Sequence, residues 1–341
     1  MDTKATPTEP IILQSLETRY GLQPLQFVRS VEEGVLSDNI VVRERERLLF
    51  FKTYNQKYEN TWIETVHRVK QLFADNDIPV ILPLTNREHT TLFEESGRIH
   101  ALFPFVEGKH VTRGNISPTA LRSMGTILGK IHRIGSQKIS FEVQEQTMDW
   151  NMQKNLDTVT EILAIIEQKP TLDAFDTQAL PYLRAQLAYM QELTQVAPSF
   201  DFNADHLIHG DYHDANLFFN KDDTVKHVFD WEKTRISDRR HELLRAISLS
   251  IFNGTYSDDR FEQATHFLKA YTEQYPITPD SLAKAWEWFS YLQVRGTWLI
   301  SEHYLKHNTR ADKYLQSSIA TFDYVSKHRN EFQERLATAI R

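Results

Sequence analysis

The chain has 341 residues, of which 40% are hydrophobic and 25% charged, a composition typical of a soluble globular protein with a substantial core. Its 46 acidic and 39 basic residues give a net charge of −7, which argues against a nucleic-acid-binding surface. It contains no cysteine, so disulfides, thiolate nucleophiles and cysteine-based zinc sites are excluded.

Targeting and membrane segments are not evident in the sequence. Residues 1–7 lack a basic region followed by an apolar core, and no apolar run approaches the roughly 18 residues that a membrane span needs. We therefore expect a cytoplasmic protein with no membrane partner. The first ten or so residues are expected to form a polar tail.

Up to about residue 106 the pattern is mainly that of β-strands. Apolar runs predict strands over 27–31, 39–43 and 47–54, and a hairpin whose strands flank Ser96-Gly97. One amphipathic helix, carrying Trp62 and Phe73, lies between them. This half of the chain predicts a small α+β lobe.

Beyond Glu107-Gly108 the pattern changes to helices. Ser117 is a candidate N-cap, followed by Pro118 and an apolar stripe at helical spacing. Further helices are predicted over about 150–167, 180–195, 259–274, 280–306 and 312–338. We predict an N-terminal β-rich lobe over residues 1–105 and a larger, mainly helical lobe over 106–341, with a cleft between them.

The most informative stretch is residues 207–219, which interrupts the helical pattern. Asp211 follows His209-Gly210, Asn216 comes five positions later, and Asp230 follows the apolar pair Val228-Phe229. A carboxylate, an amide and a second carboxylate at this spacing are typical of phosphoryl transfer. A lone Asp211 would more often be a turn residue, but the accompanying groups favour the role of catalytic base.

Asn216 and Asp230 are the predicted metal ligands. Mg²⁺ takes few protein oxygens and completes its shell with water and nucleotide phosphates, so one amide and one carboxylate suffice. The alternatives are a loop amide bonded to backbone and an aspartate at a strand end. We assign His209 a structural role and leave His213 open.

Lys52 is the predicted phosphate contact. By strand alternation it shares a face with Leu48 and Phe50, where an ammonium needs an anionic partner such as the phosphates of ATP. The alternative is an edge-strand lysine that deters aggregation. Glu64, on the following helix, is the predicted partner that holds Lys52, and Glu59 is the competitor.

Two further segments are candidates for nucleotide contact. The loop between the first two strands, from Gly34 to Asn39, could approach phosphate through backbone N–H groups, although it contains a single glycine. Phe103 and Phe105 lie at the junction of the lobes, where an adenine ring would meet apolar side chains. Packing of the lobe interface is an equally good explanation for each phenylalanine.

With these residues assembled, the chain resembles the aminoglycoside phosphotransferase/choline kinase family of small-molecule kinases. The resemblance rests on His209-Gly210-Asp211 with Asn216, on Phe229-Asp230-Trp231-Glu232, and on Lys52 in its strand. It implies a bilobal protein-kinase-like fold and an ATP- and Mg²⁺-dependent transfer to a small-molecule hydroxyl. It further implies that Asp211 is the base, that Asn216 and Asp230 bind Mg²⁺, and that Lys52 contacts phosphate. Glu242, in His241-Glu242-Leu243-Leu244-Arg245, is expected to anchor the catalytic segment.

Differences from the sequence motifs of protein kinases indicate which class of acceptor the protein uses. Gly210 replaces the arginine that pairs with a phosphorylated activation loop, and Trp231-Glu232 replaces Phe-Gly. A small acceptor such as an amino alcohol, a sugar, a homoserine-like compound or an aminoglycoside is therefore favoured over a protein. The alternatives are a non-catalytic module of the same fold, such as a spore-coat-type protein, and, more weakly, a metal hydrolase using His209 and His213.

Overall fold

The computed structural model describes residues 9–31, 39–194 and 200–340. Across these ranges, none of the helices combines the length and apolarity that a membrane-crossing segment requires. The expected polar tail and Gly34 lie largely or wholly outside the described residues.

A five-stranded antiparallel sheet dominates the N-terminal part, with strand order β1-β2-β3-β5-β4. Its elements are α1 (Glu9–Tyr20), β1 (Gln26–Val31), β2 (Asn39–Glu44), β3 (Arg47–Thr53), α2 (Asn60–Ala74), β4 (Phe93–Glu95) and β5 (Arg98–Pro104). Alternation along β3 buries Leu49 and Phe51 against α1 and places Lys52 on the other face.

Helix α1 was not foreseen from the sequence. Its apolar residues do not form a continuous stripe, because Leu16 is fully buried while Ile11 is 55% exposed. The helix packs on the sheet through Leu16 together with Leu13, and Ser15 adds a hydrogen bond to Glu95 of β4. Such a helix depends on tertiary contacts that periodicity does not reveal.

Helices build the C-terminal part, and two short strand pairs carry its central loops. The helices are α3 (Pro118–Gly135), α4 (Gln153–Glu167), α5 (Ala174–Leu193), α6 (Arg239–Ile247), α7 (Asp258–Gln274), α8 (Pro279–Val294), α9 (Trp298–Tyr304) and α10 (Leu315–Ala339). The strands are β6 (His206–Ile208), β7 (Leu217–Phe219), β8 (Val225–Val228) and β9 (Arg235–Ser237), and β6 pairs with β9 and β7 with β8.

Helix boundaries differ from the predicted ones in two places. The single helix expected over 280–306 is broken between α8 and α9, where residues 295–297 leave the helical path. Helix α5 begins at Ala174, earlier than predicted, because Asp173 and Asp176 form a capping box at its N-terminus. The N-cap predicted at Ser117 is confirmed, since its hydroxyl accepts a hydrogen bond from the Ala120 N–H.

The two parts of the chain meet along residues 225–232. Val228 forms a bridge with Val80, the Trp231 ring lies 4.9 Å from that of Phe73, and the Trp62 indole donates to the Glu232 carbonyl. These contacts fix α2 against the segment that carries Asp230. A lobe boundary near residue 105 remains our proposal.

Candidate active site

The backbone of the central loop is held by one buried carboxylate. Glu242, 1% exposed on α6, accepts hydrogen bonds from the N–H groups of His209 at 3.0 Å, of Gly210 at 2.5 Å and of Tyr212 at 3.4 Å. His132 of α3 lies 3.1 Å from the same carboxylate. The structure therefore places Glu242 where it was expected, as the anchor of this loop.

Gly210 is required by its backbone. Its φ of 87° lies in the left-handed region, and an added Cβ would overlap the carbonyl oxygen of Lys233. Both the conformation and the close approach of residues 210 and 233 exclude a larger side chain. The missing arginine noted in the sequence thus has a local steric cause.

His209 has the structural role expected for it. Its ring is fully buried; Nε2 lies 2.9 Å from the Phe229 carbonyl, and Nδ1 accepts from the Asp211 N–H at 3.2 Å. This pattern requires the proton on Nε2. Burial lowers the pKa of His209, so the ring is neutral and ties the loop to the residue before Asp230.

Asp211 is buried and surrounded by cations. One carboxylate oxygen lies 2.6 Å from Nη2 of Arg245 and the other 2.7 Å from Nζ of Lys233, and His213 is 3.8 Å away. Burial alone would raise the pKa of Asp211, but Arg245 and Lys233 outweigh it and hold the pKa well below its usual range. The carboxylate is therefore ionised, as a proton acceptor must be.

Asn216 faces the same loop. Its Nδ2 donates to the Asp211 carbonyl at 2.8 Å, which leaves Oδ1 with no hydrogen-bond donor among the residues of the described ranges. Its own carbonyl accepts from the Phe229 N–H at 3.1 Å, next to Asp230. The two predicted metal ligands are thus carried by directly hydrogen-bonded segments.

Asp230 lies at a point of concentrated negative charge. Its backbone is left-handed (φ 64°, ψ 56°), an uncommon state for aspartate. Although 45% of the side chain is exposed, loss of hydration and the neighbouring Glu232 carboxylate raise the pKa of Asp230 to about 8. Two crowded carboxylates, on a segment hydrogen-bonded to that of Asn216, suit a divalent cation. No cluster of three or more His, Asp or Glu side chains that could hold a metal occurs in the described part of the chain.

Lys52 is paired with Glu232, and not with Glu64 as predicted. Its Nζ lies 2.6 Å from Glu232 Oε1 and 4.0 Å from Asp230 Oδ1. Burial alone would lower the pKa of Lys52, but these carboxylates raise it. Glu64 and its competitor Glu59 are both exposed, because α2 turns Ile63 toward the sheet and Val66 toward the main core instead. The expected Lys52–Glu64 pair is therefore corrected.

The buried face of α2 carries the basic residues His67 and Lys70, whereas a glutamate, Glu64, was predicted to face Lys52. The His67 ring lies 2.8 Å from the Tyr54 hydroxyl, and Lys70 is only 8% exposed, with Nζ 4.2 Å from the centre of the Phe103 ring. Burial lowers the pKa of His67 to about 3 and that of Lys70 to about 7. The carboxylate that pairs with Lys52 therefore comes from Glu232 and not from α2.

The other residues predicted to contact the nucleotide differ in their exposure to solvent. Phe103 is 4% exposed and packs in a cluster with Tyr54 and Ile63, which favours the core-packing interpretation for its ring. Phe105 is half-buried, and its N–H donates to the Leu48 carbonyl. The Asn39 side chain, 7% exposed, accepts from the Thr53 N–H within the sheet.

Sequence reasoning missed three side chains of the site. Glu232 belongs to the Phe-Asp-Trp-Glu motif, Lys233 directly follows it, and Arg245 ends the His-Glu-Leu-Leu-Arg segment. Their positions beside recognised motif residues were the available signal. Their partners, however, lie 22 to 180 residues away along the chain, so only the folded structure identifies the pairs.

The model of the phosphotransferase enzyme family matches residues 28–284. The chain belongs to this family. The family predicted from the sequence is thereby confirmed. Homoserine kinase from Bartonella tribocorum is 23% identical over 216 residues, which are 63% of this chain and 62% of that protein. The chain therefore matches less than two thirds of that relative's length.

Solved structures of similar fold come from several small-molecule kinases. A spectinomycin phosphotransferase bound to ADP and spectinomycin superposes with a TM-score of 0.62 at 15% identity, covering 98% of this chain and 99% of that one. A microcompartment-associated aminopropanol kinase gives 0.61 at 15% identity, with 96% and 100% covered, and choline kinase from Cryptosporidium parvum gives 0.61 at 13%, with 96% and 98% covered. At these identities the likeness concerns the fold, and the predicted bilobal protein-kinase-like fold is confirmed.

Proposed function

We propose that the protein is a kinase that transfers the γ-phosphoryl group of ATP to a hydroxyl of a small molecule. The observation that carries this proposal is the ionised Asp211 on a loop hydrogen-bonded to the segment of Asp230, with Lys52 reaching the same segment from the sheet. A base, a cation for phosphate and oxygen ligands for a metal are the parts that phosphoryl transfer requires.

Each residue has a role in this proposal. Lys52 contacts the nucleotide phosphates, and Asn216 and Asp230 hold Mg²⁺, which neutralises phosphate charge when bound. Asp211 orients the acceptor hydroxyl and takes its proton as the oxygen forms a bond to the γ-phosphorus, while the bond from that phosphorus to the bridging oxygen of ADP breaks. Binding of ADP by the spectinomycin phosphotransferase, and of an ATP analogue with Ca²⁺ by an amicoumacin kinase of similar fold, supports the choice of nucleotide and divalent cation.

The acceptor belongs to a class represented among the relatives. Homoserine, spectinomycin, aminopropanol and choline are the compounds in the names of the similar proteins, and all carry a hydroxyl group. We place the acceptor among amino alcohols, sugars, homoserine-like compounds and aminoglycosides.

A non-catalytic module of the same fold is the second candidate. Such a module would need neither an ionised Asp211 nor a catalytic loop anchored by Glu242, and both are present here. Thermal unfolding with and without Mg²⁺ and ATP separates the two: a Mg²⁺-dependent stabilisation by ATP supports the kinase, and its absence supports the module.

Asp211→Asn tests the proposal directly. We expect ADP formation with a phosphorylated acceptor to fall by about 10²–10⁴-fold, because the amide cannot accept the hydroxyl proton. Binding of Mg²⁺-ATP, measured by calorimetry, is expected to persist, which also verifies that the variant is folded. Asp157→Asn, at an exposed position of α4, is the control and is expected to retain full turnover. Undiminished turnover in Asp211→Asn would contradict the assignment.

A further inference from the structure

The catalytic loop is surrounded by more positive charge than Asp211 can balance. Lys233 and Arg245 contact the two oxygens of its carboxylate, and 51% and 35% of their side chains are exposed. Arg235 is close by: its Nη1 donates to the Lys233 carbonyl at 2.9 Å and lies 3.5 Å from the Gly210 carbonyl. Three cations therefore accompany one carboxylate.

Neighbouring carboxylates offset only part of this charge. Glu242 lies beneath the loop, 1% exposed, where it accepts from backbone N–H groups, and its negative charge also favours the charged form of Arg235. Asp230 and Glu232 are paired with Lys52 on the proposed nucleotide side. Burial, together with Arg235 and Arg245, lowers the pKa of His241 to about 3, so this ring is neutral and adds no charge to the cluster. The cluster of Lys233, Arg235 and Arg245 thus retains an excess of positive charge.

The same contacts occupy the base. Both carboxylate oxygens of Asp211 accept short charge-assisted hydrogen bonds, 2.6 Å from Arg245 and 2.7 Å from Lys233. A hydroxyl must compete with these donors to reach the carboxylate. An anionic group on the acceptor would draw Lys233, the more exposed donor, away from Asp211 and free an oxygen for the hydroxyl. A neutral or cationic acceptor offers nothing to draw it away.

We propose that the acceptor carries an anionic group, a carboxylate or a phosphate ester, close to the hydroxyl, and that Lys233 and Arg245 bind it beside Asp211. This inference rests on the proposed kinase activity and narrows its acceptor class. The negative charge of the acceptor would then displace Lys233 from Asp211 and leave a carboxylate oxygen free to accept the hydroxyl proton. Amino alcohols and aminoglycosides, which are cationic, are disfavoured.

Matched acceptors test the charge requirement. The full chain with Mg²⁺-ATP is assayed for ADP release with glycerate against glyceramide, L-homoserine against L-homoserine amide, glycerol 3-phosphate against glycerol, and with ethanolamine. We expect kcat/KM for at least one anionic compound to exceed that of its neutralised partner at least tenfold. The carboxylate pairs and the phosphate pair distinguish the two sources of the anion.

The outcomes separate this inference from the proposed function. Transfer to glycerol, the amides or ethanolamine that equals or exceeds transfer to the anions overturns the anionic acceptor and leaves the kinase intact. No transfer to any anion overturns it also. If, in addition, Mg²⁺-ATP neither binds nor stabilises the protein, the kinase proposal itself fails.

Lys233→Met assigns the binding residue. We expect the ratio of kcat/KM between the anion and its neutral partner to fall at least tenfold through KM for the anion, and Lys233→Arg to restore much of it. A ratio is unaffected by partial misfolding. Lys284→Met, an exposed lysine of α8, is the matched control. If Lys233 contacted ATP instead, KM for ATP would rise and the ratio would stay constant, which would overturn the assignment.

Discussion

At the residue scale, Lys70 is a lysine buried against an aromatic ring in the N-terminal sheet region. It is 8% exposed, and no carboxylate among the described residues lies within ion-pair distance of its Nζ, which faces the Phe103 ring. Burial lowers its pKa from 10.5 to about 7, while Glu232 partly offsets that effect. An ammonium in this position opposes folding.

Lys70→Met is expected to stabilise the protein at neutral pH. In the unfolded chain Lys70 is protonated below pH 10.5, whereas in the folded protein it is protonated only below about pH 7. The unfavourable contribution of Lys70 to stability therefore diminishes with rising pH across that window, by up to about 1.4 kcal/mol per pH unit. The advantage of Lys70→Met, about 3–5 kcal/mol at pH 7, should shrink as the pH approaches 10.5.

Urea unfolding of both proteins at pH 7, 8 and 9 measures this difference. Lys154→Met, at an exposed position of α4, is the control and is expected to leave stability within about 0.5 kcal/mol at each pH. A stability difference between Lys70→Met and wild type that stays constant with pH would show that Lys70 titrates normally in the folded protein.

At the element scale, the contact between α3 and α7 depends on glycine. A Cβ at Gly125 would overlap the Phe267 carbonyl, and one at Gly129 would meet the Tyr271 carbonyl at 2.7 Å. The two helices therefore touch backbone to backbone. This contact positions His132, which lies 2.8 Å from the Tyr271 hydroxyl and supports Glu242.

Gly125→Ala is expected to lower the free energy of unfolding by about 1–3 kcal/mol, because the helices must separate to admit the methyl group. Gly296→Ala is the matched control: its added Cβ would meet only ordinary contacts of 3.4 Å or more, so stability should stay within about 0.5 kcal/mol. Thermal and urea unfolding measure both. Equal stabilities of the two variants would contradict the packing argument.

Helices and strands with a clear period were predictable from sequence, and those that depend on distant partners were not. The strands β2 and β3 and the helix α3 carry continuous apolar patterns and were placed to within a few residues. Helix α1 has no such stripe, and the break at residues 295–297 is marked by a single glycine, Gly296, and by no proline. The catalytic motif was predictable because its residues lie close together in the sequence, between His209 and Asp230. The partner of Lys52 was not, since Glu232 lies 180 residues further on.

At the scale of the whole molecule, Glu232 connects three parts of the fold. Its carboxylate pairs with Lys52 of β3, its carbonyl accepts from Trp62 of α2, and it stands two residues after Asp230 in the C-terminal part. The sheet, α2 and the proposed metal ligand are thereby held in one arrangement.

Glu232→Gln is expected to destabilise the protein by about 3 kcal/mol, because Lys52 loses its closest anion while remaining largely buried. Affinity for Mg²⁺-ATP, measured by calorimetry, should fall along with it. Glu64→Gln is the control, since Glu64 is exposed and does not contact Lys52. The reverse result, a silent Glu232→Gln and a damaging Glu64→Gln, would restore the pairing predicted from sequence.

The steric closure around Gly210 constrains how this chain could be regulated in evolution. Protein kinases gain a phosphorylation-dependent latch from an arginine at the corresponding place. Here the left-handed backbone and the adjacent Lys233 carbonyl admit no side chain, so a single substitution to arginine would disrupt the loop rather than add a latch. Acquiring such control would require the segment from Lys233 to Arg235 to move first. The backbone geometry that positions the proposed base therefore also prevents a single substitution at Gly210 from introducing control by phosphorylation.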